Sequence, residues 1–140
     1  MKIRVLVRGK LRKRYLEAAE SEYRERLRPY CRLEVVEVKN DDALLAAIAP
    51  DDRVYALDER GDMVTSAELA AAMADEERAA RRLVFTIGGP DGHSDGLRRR
   101  ADRLIAFGRM TIAHRLVRVV LMEQIYRAFR INRGEPYHRD

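Results

Sequence analysis

The sequence contains a single cysteine, Cys31, so an intramolecular disulfide is impossible and a reducing compartment is expected. It has no apolar run of membrane-spanning length, and charged residues follow Met1 directly, where a signal peptide would need an apolar block. Its three histidines and one cysteine show no metal-ligand spacing. We therefore expect a cytoplasmic protein with no membrane segment and no metal site.

Lysine is also scarce, since it supplies 4 of the 28 basic residues and arginine supplies the other 24. The net charge of +5 is compatible with a polyanionic partner such as RNA. A bias in composition explains the arginine excess equally well, and the arginine run at residues 98–100 is equally compatible with a solvated surface. Charge alone leaves RNA binding open.

A length of 140 residues suits one domain, spanning residues 1–140, with a core of its own. Alternating and β-branched apolar residues predict strands at 2–7, 33–38, 54–57, 83–87 and 104–107. Helical spacing predicts helices at 11–27, 41–49, 67–80, 94–103 and 116–130, and Thr65 with Glu68 forms a capping box before the third. This alternation predicts an α/β fold, a mainly parallel sheet with helices on both faces.

Ligands of such sheets bind at the carboxyl ends of the strands, which here are followed by residues 57–61, 88–93 and 108–113. The second of these segments is rich in glycine and allows a ligand close to the main chain. It lacks the Gly-Lys-Ser/Thr ending of a phosphate-binding loop, and a dinucleotide-binding loop would follow the first strand instead. A tight turn without a ligand is the remaining local interpretation.

Several motifs taken together are more specific. They are Ile87-Gly88-Gly89-Pro90-Asp91-Gly92, Met110-Thr111 before His114, Arg118, Glu123-Gln124-Ile125-Tyr126-Arg127-Ala128 and Pro136-Tyr137-His138. This set closely resembles the RlmH family, SPOUT-class methyltransferases that act on N3 of a pseudouridine in 23S ribosomal RNA. The resemblance covers the whole chain and is most specific from Leu83 onward.

The resemblance implies a C-terminal trefoil knot, a rare exception to unknotted topology. It also implies S-adenosylmethionine as the cofactor, a homodimer, and 23S rRNA, favoured in the assembled ribosome, as the substrate. Carried over by position, the implied cofactor site consists of Leu57, Gly89, Gly108, Arg109, Met110, Thr111, Ile112 and Ala113. Relatives often have Ser or Lys where this chain has Gly108 and Arg109, a change of little consequence if backbone groups hold the cofactor.

The terminal helix is apolar over a wider arc than a surface helix needs, because Val119 and Met122 extend the apolar stripe. We expect a second subunit to cover it, which would let the tail of one subunit reach the cofactor site of the other. A charge at Leu121 or Ile125 is then expected to give monomers or misfolded protein.

Transfer of a methyl group to an imide nitrogen requires positioning of the reactants and removal of a proton. His138 is the first candidate for base or positioning group, with Tyr137 stacking on or orienting a flipped nucleotide, and His114 is the second candidate. His93 is interpreted as a loop residue. Arg118 and Arg127 either hold substrate oxygens or pair with Glu123 in a structural role. Further candidates for phosphate contact are Arg8, Lys10, Arg109 and Arg115.

Two alternatives remain at this point. A non-enzymatic RNA-binding α/β module would share the basic charge, but it gives no reason for the glycine loop and the Tyr-His tail. An ordinary nucleotide-binding doubly wound domain is disfavoured, since no glycine fingerprint follows the first strand.

Overall fold

The computed structural model describes residues 1–139, which form five strands and five helices in strict alternation. The strands are β1 (Lys2–Arg8), β2 (Arg32–Val38), β3 (Arg53–Met63), β4 (Leu83–Ile87) and β5 (Arg103–Ala106). The helices are α1 (Arg14–Leu27), α2 (Asp41–Ala46), α3 (Ser66–Arg78), α4 (Asp95–Arg100) and α5 (His114–Asn132).

All strand pairs in the sheet are parallel, and the strand order is β2-β1-β4-β3-β5. The central strand β4, Leu-Val-Phe-Thr-Ile, is buried along its whole length, and four of its five residues are apolar. Its side chains alternate between two cores, because Phe85 packs with residues of α1, α3 and α5 whereas Val84 packs with residues of α2 and α4. The predicted α/β fold with helices on both faces is confirmed.

Strand β3 is longer than the predicted strand at 54–57, because it resumes pairing with β5 after an interruption. Leu57 and Asp62 both pair with Ile105, so residues 58–61 leave the ladder between them. Gly61 is the last residue of this excursion and lies directly against β5. A Cβ there would come within 2.5 Å of the Leu104 backbone, so the close approach requires glycine. The excursion places Asp58 at the carboxyl end of the sheet.

Several helix boundaries also differ from the prediction. Helix α1 begins at Arg14 rather than Leu11, because Arg12 has a φ of 65° that no α-helix accommodates. Helix α4 ends at Arg100, and α5 extends from His114 to Asn132, two residues beyond the predicted range at each end. The capping box of Thr65 and Glu68 at the start of α3 is present as predicted.

No helix within residues 1–139 combines the length and the apolar character needed to cross a bilayer. The trefoil knot implied by the family resemblance stays a prediction.

Candidate active site

A cavity of about 470 Å³ lies at the carboxyl ends of β3, β4 and β5, within the size range of small-molecule sites. Three segments form its walls: the β3 excursion, the glycine loop at residues 88–92 and the segment 108–113. His114 and Val117 from the first turn of α5 complete it. These are the three segments that the sequence places at this edge, and the structure brings them together.

The glycine loop is a tight backbone structure in which Gly88 has no room for a side chain. A Cβ on Gly88 would lie 2.7 Å from the carbonyl carbon of Gly92. Gly92 has a φ of 79°, and its N–H donates to the Gly89 carbonyl at 2.9 Å. A Cβ on Gly89 would meet only the flexible Arg8 guanidinium, at 3.2 Å. The loop shape therefore depends more on Gly88 than on Gly89.

His93 anchors the end of this loop to Thr86 of β4 and is only 4% exposed. Its Nε2 lies 3.1 Å from Thr86 Oγ1 and 3.3 Å from the Thr86 carbonyl oxygen, which can only accept. The neutral ring therefore carries its proton on Nε2. Burial is the main cause that lowers the pKa of His93, so it stays neutral at pH 7. The interpretation of His93 as a simple loop residue misses this supporting role.

A buried ion pair forms another part of the cavity wall. Arg98 Nε lies 2.7 Å from Asp58 Oδ2, and the Asp58 side chain is 3% exposed. Burial opposes ionisation of Asp58, but hydrogen bonds from Arg98 and from the Arg60 N–H outweigh it, so the pKa of Asp58 lies below its ordinary value. Arg98 is thus a structural part of the cavity and not one of the solvated charges expected from the run at 98–100.

The structure brings seven of the eight predicted cofactor residues to the cavity. They are Leu57, Gly89, Gly108, Met110, Thr111, Ile112 and Ala113. Arg109 lies on the protein surface and is not part of the lining. Met110 is 84% exposed, so the segment that carries it covers the cavity only from one side.

His114, the first residue of α5, is half-buried in the cavity wall. Within residues 1–139 neither of its ring nitrogens has a hydrogen-bond partner. Burial, with a smaller contribution from the charge of Arg115, lowers the pKa of His114. A neutral imidazole at the cavity is suited to accept a proton.

The carboxy-terminal tail, residues 134–139, folds back along α5. Gly134 has a φ of 66°, and the Glu135 N–H donates to the Arg130 carbonyl at 2.9 Å, which reverses the chain at the helix end. The Glu135 carboxylate then accepts from Arg130 at 3.0 Å and from the Tyr30 hydroxyl at 3.1 Å. These contacts hold the start of the tail against α5 and Tyr30.

The end of the tail packs on the second half of α5. The Tyr137 hydroxyl donates to Glu123 at 2.7 Å, its ring centroid lies 4.9 Å from that of Tyr126, and the Arg127 guanidinium stacks on the ring at 4.7 Å. Burial and the Glu123 carboxylate raise the pKa of Tyr137, which stays a neutral hydroxyl. The predicted ion pair of Glu123 with Arg127 is present at 2.8 Å.

His138 is held by the same arginine, with Arg127 Nη1 3.2 Å from His138 Nδ1. A guanidinium only donates hydrogen bonds, so Nδ1 is the acceptor and a neutral His138 carries its proton on Nε2. The tail cluster, defined here as Glu123, Arg127, Tyr137 and His138, is therefore a set of linked hydrogen-bond donors and acceptors.

The cavity and the tail cluster are well separated within one subunit. His114 lies at the cavity, and Arg127 holds His138 thirteen residues further along the same helix. At 1.5 Å per residue this is about 20 Å along the helix axis. One subunit alone does not bring Tyr137 and His138 to the cavity.

Arg118 lies between these two regions but faces the protein interior. It is 5% exposed and contacts Glu20 of α1 through Nε, while its Nη1 lies 2.7 Å from Glu37 of β2. Loss of one partner from such a buried ionic group costs about 3–5 kcal/mol. In this arrangement Arg118 ties α5 to α1 and β2 and does not line the cavity. Of the two predicted roles, the structure shows the structural one, with Glu20 and Glu37 as partners and not the predicted Glu123.

Asp58 and Arg98 contribute to the site in ways that the sequence does not indicate individually. The polar residues 58–61 look like an ordinary turn, and Arg98 sits in a run of three similar residues. Their pairing depends on the β3 excursion, which arises from long-range packing. Within residues 1–139 no three His, Cys, Asp or Glu side chains are close enough together to hold a metal ion.

Comparisons with known proteins agree with this geometry. A family model described as predicted SPOUT methyltransferase matches residues 1–138. The chain therefore belongs to the SPOUT methyltransferase family, whose members use S-adenosylmethionine as methyl donor. A protein of Geobacter sulfurreducens called ribosomal RNA large subunit methyltransferase H is 43% identical, with 99% of each chain covered. A protein of the same name from Carboxydothermus hydrogenoformans is 40% identical over 99% of this chain and all of its own length.

A solved structure shows the same fold at low identity. The A. aeolicus TrmH/SpoU tRNA modifying enzyme superposes with a TM-score of 0.55 at 12% identity, covering 95% of this chain and 77% of its own. This similarity supports the fold alone.

Proposed function

We propose that this protein transfers the methyl group of S-adenosylmethionine to N3 of a pseudouridine in 23S rRNA, in the cytoplasm and on the assembled ribosome. The main support is the full-length match to rRNA large subunit methyltransferases, together with a cavity where the sequence places the cofactor segments. A non-enzymatic RNA-binding module would share the basic charge but would have no use for this cavity.

The lining of the cavity fits the cofactor. It combines apolar side chains such as Leu57 and Phe107 with the main chain of the glycine loop and of residues 108–113. Apolar surfaces suit an adenine ring, and backbone N–H and carbonyl groups suit its polar edges and the ribose hydroxyls. When bound, S-adenosylmethionine supplies a methyl group on a sulfonium, so the protein needs to provide only positioning, proton removal and charge stabilisation.

A complete site requires two subunits under this proposal. The tail cluster lies about 20 Å along α5 from the cavity of its own subunit. Leu116 is 47% exposed on the first turn of α5, and Met110 and Ile112 in the cavity segment that precedes the helix are exposed as well. A homodimer that covers these apolar side chains would place the tail of one subunit over the cavity of its partner.

The residues then have separate roles. The target N3 starts as an imide N–H, and the neutral imidazole of His114 at the cavity accepts its proton. His138 donates from Nε2 to a carbonyl oxygen of the base, and Arg127 lies behind it to stabilise the developing negative charge. Tyr137 orients the flipped nucleotide. His138 is thus a positioning group, because Nδ1 already accepts from Arg127.

Nucleoside mass spectrometry tests this function directly. Ribosomes from cells that lack the gene are incubated with the purified protein and S-adenosylmethionine labelled in the methyl group. We expect the label in 23S rRNA as N3-methylpseudouridine. Label in another nucleoside would contradict the substrate, and no labelled RNA from correctly folded protein would contradict the enzymatic function.

A further inference from the structure

The segment that joins β1 to α1 is a second charged feature beside the cavity. Residues 8–14 contain five cations: Arg8, Lys10, Arg12, Lys13 and Arg14. The segment leaves the carboxyl end of β1, which pairs with β4, the strand that leads into the glycine loop. The Arg8 guanidinium reaches to 3.2 Å from the position of a Cβ on Gly89. Arg8, at the start of the segment, therefore lies against the glycine loop that forms one wall of the cavity.

The outer cations of this segment are exposed and have no anionic partner in the part of the chain that the structure describes. We define Lys10, Arg12, Lys13 and Arg14 as the basic loop, and all four are exposed. Within residues 1–139 no carboxylate lies within 4.0 Å of any of them. Many other arginines are paired, among them Arg98 with Asp58 and Arg118 with Glu20. Four adjacent cations without a partner form a concentrated positive surface.

The basic loop has a defined shape. Leu11 in its middle is 4% exposed and anchors it in the core, and the Gly9 N–H donates to the Val38 carbonyl at 3.2 Å. Gly9 and Arg12 have φ values of 90° and 65°. Glycine would adopt the Arg12 conformation with less strain, so an arginine there suggests that its charge has a use. Tyr15, which directly follows the basic loop, is 69% exposed and offers an aromatic face.

We propose that the basic loop binds the phosphates of the rRNA strand that flanks the target nucleotide, with Tyr15 available to stack on an unpaired base. This inference rests on the proposed function and adds the surface that holds the RNA. Charge complementarity supports it, because arginine and lysine contacts to phosphates fix the position of a strand without reading its sequence. Stacking on aromatic side chains is the usual complement in recognition of single-stranded RNA.

A charge-matched pair of variants tests the proposal. The loop variant combines Lys10→Ala, Lys13→Ala and Arg14→Ala. The control variant removes three exposed cations near the amino ends of the strands, the end away from the cavity. It combines Lys2→Ala, Arg32→Ala and Arg81→Ala. Both lose the same charge, so only the location differs. Binding to ribosomes from cells lacking the gene is measured by co-sedimentation over a series of salt concentrations, and cofactor binding is measured by calorimetry.

We expect the loop variant to bind ribosomes roughly 10- to 100-fold more weakly than wild type. The slope of log affinity against log salt should become less negative by about 2, because fewer phosphates are neutralised. Both quantities should be unchanged in the control variant. Cofactor affinity and dimerisation should be unchanged in both variants. Equal losses in the two variants, an unchanged salt slope in the loop variant, or loss of the dimer in place of RNA binding would overturn the proposal. The last result would identify the basic loop as a protein interface.

Arg12→Gly separates loss of RNA contact from loss of folding. Glycine adopts a φ of 65° without strain, so this variant should melt at the same temperature as wild type or higher, while it binds ribosomes more weakly. Unchanged ribosome binding would remove Arg12 from the surface. A wild-type protein that neither binds nor methylates ribosomes would contradict the proposed function itself, whereas an active wild type with an active loop variant contradicts only this inference.

Discussion

The cavity and the tail cluster lie near opposite ends of α5, and they are built in different ways. The glycine loop of the cavity is shaped by backbone, since a single Cβ on Gly88 would collide with Gly92. The tail cluster consists of side chains that contact one another on the helix surface, such as Tyr137 with Glu123. A backbone site is sensitive to added atoms, whereas a side-chain site is sensitive to removed atoms. The two regions should therefore fail in different ways.

The largest effect is expected from deletion of residues 137–140. Methyl transfer should fall by about 100-fold or more, since positioned donors and bases contribute factors of 10²–10⁴. Cofactor affinity and melting temperature should stay close to wild type, because Tyr137 and His138 are only partly buried on α5. Single-turnover kinetics and calorimetry measure the two quantities. A truncated protein with full activity would remove the tail from the reaction.

The reverse pattern is expected for the glycine loop. Gly88→Ala should weaken cofactor binding by about 10- to 100-fold, since a Cβ 2.7 Å from backbone atoms costs about 1–3 kcal/mol in strain. Gly89→Ala is the matched control and should have a smaller effect, because it displaces only the flexible Arg8 side chain. Calorimetry with S-adenosylmethionine measures both. Equal affinities for the two variants would contradict the assignment of the loop shape to Gly88.

The proposed contact between the two regions depends on the exposed side of α5. Leu116→Asp should weaken dimerisation by about 10-fold or more, since it replaces an apolar contact by a charge, and Met63→Asp, at a 58% exposed residue, is the control. Leu121 and Ile125 are 0% exposed within one subunit, so a charge there should unfold the protein rather than separate dimers. Sedimentation velocity distinguishes these results. A stable dimer carrying Leu116→Asp would place the interface elsewhere.

The smallest effect is expected from pH at His93. Burial lowers the pKa of His93 in the folded protein. In the unfolded chain this side chain therefore begins to bind a proton near pH 6.5, whereas in the folded protein it does so only at lower pH. Stability is therefore fully present above about pH 6.5 and declines as the pH falls below it. His93→Gln, which cannot be protonated, should show a shallower loss of melting temperature between about pH 7.5 and 5.5. Equal slopes for wild type and variant would contradict this role.

The sequence predicts much of the fold, because each signal involved is local. Alternating apolar residues mark the strands, and the capping box of Thr65 and Glu68 marks the start of α3. The mostly apolar sequence of β4, in which only Thr86 is polar, is typical of a strand buried on both faces. The β3 excursion is missed, because its second segment becomes a strand only through pairing with β5.

The position of the three segments that line the cavity is likewise predictable, since it follows from parallel topology. The partner of Arg118 is not predictable in this way. Glu20 is 98 residues away in the chain and meets it only after α1 packs against α5. The same holds for the support of the glycine loop by His93, which depends on burial against Thr86.

Mixed dimers give the most direct test of a site shared between subunits. One subunit carries Gly88→Ala with an intact tail, and the other has an intact cavity but lacks residues 137–140. The assay is run at a cofactor concentration well below the dissociation constant of the Gly88→Ala protein, so that each parent homodimer should keep only a small part of wild-type activity. If the tail acts on the partner's cavity, random mixing should restore about a quarter of wild-type activity, because half of the dimers then hold one complete site. If mixing restores nothing while sedimentation confirms the mixed dimers, the shared site is contradicted.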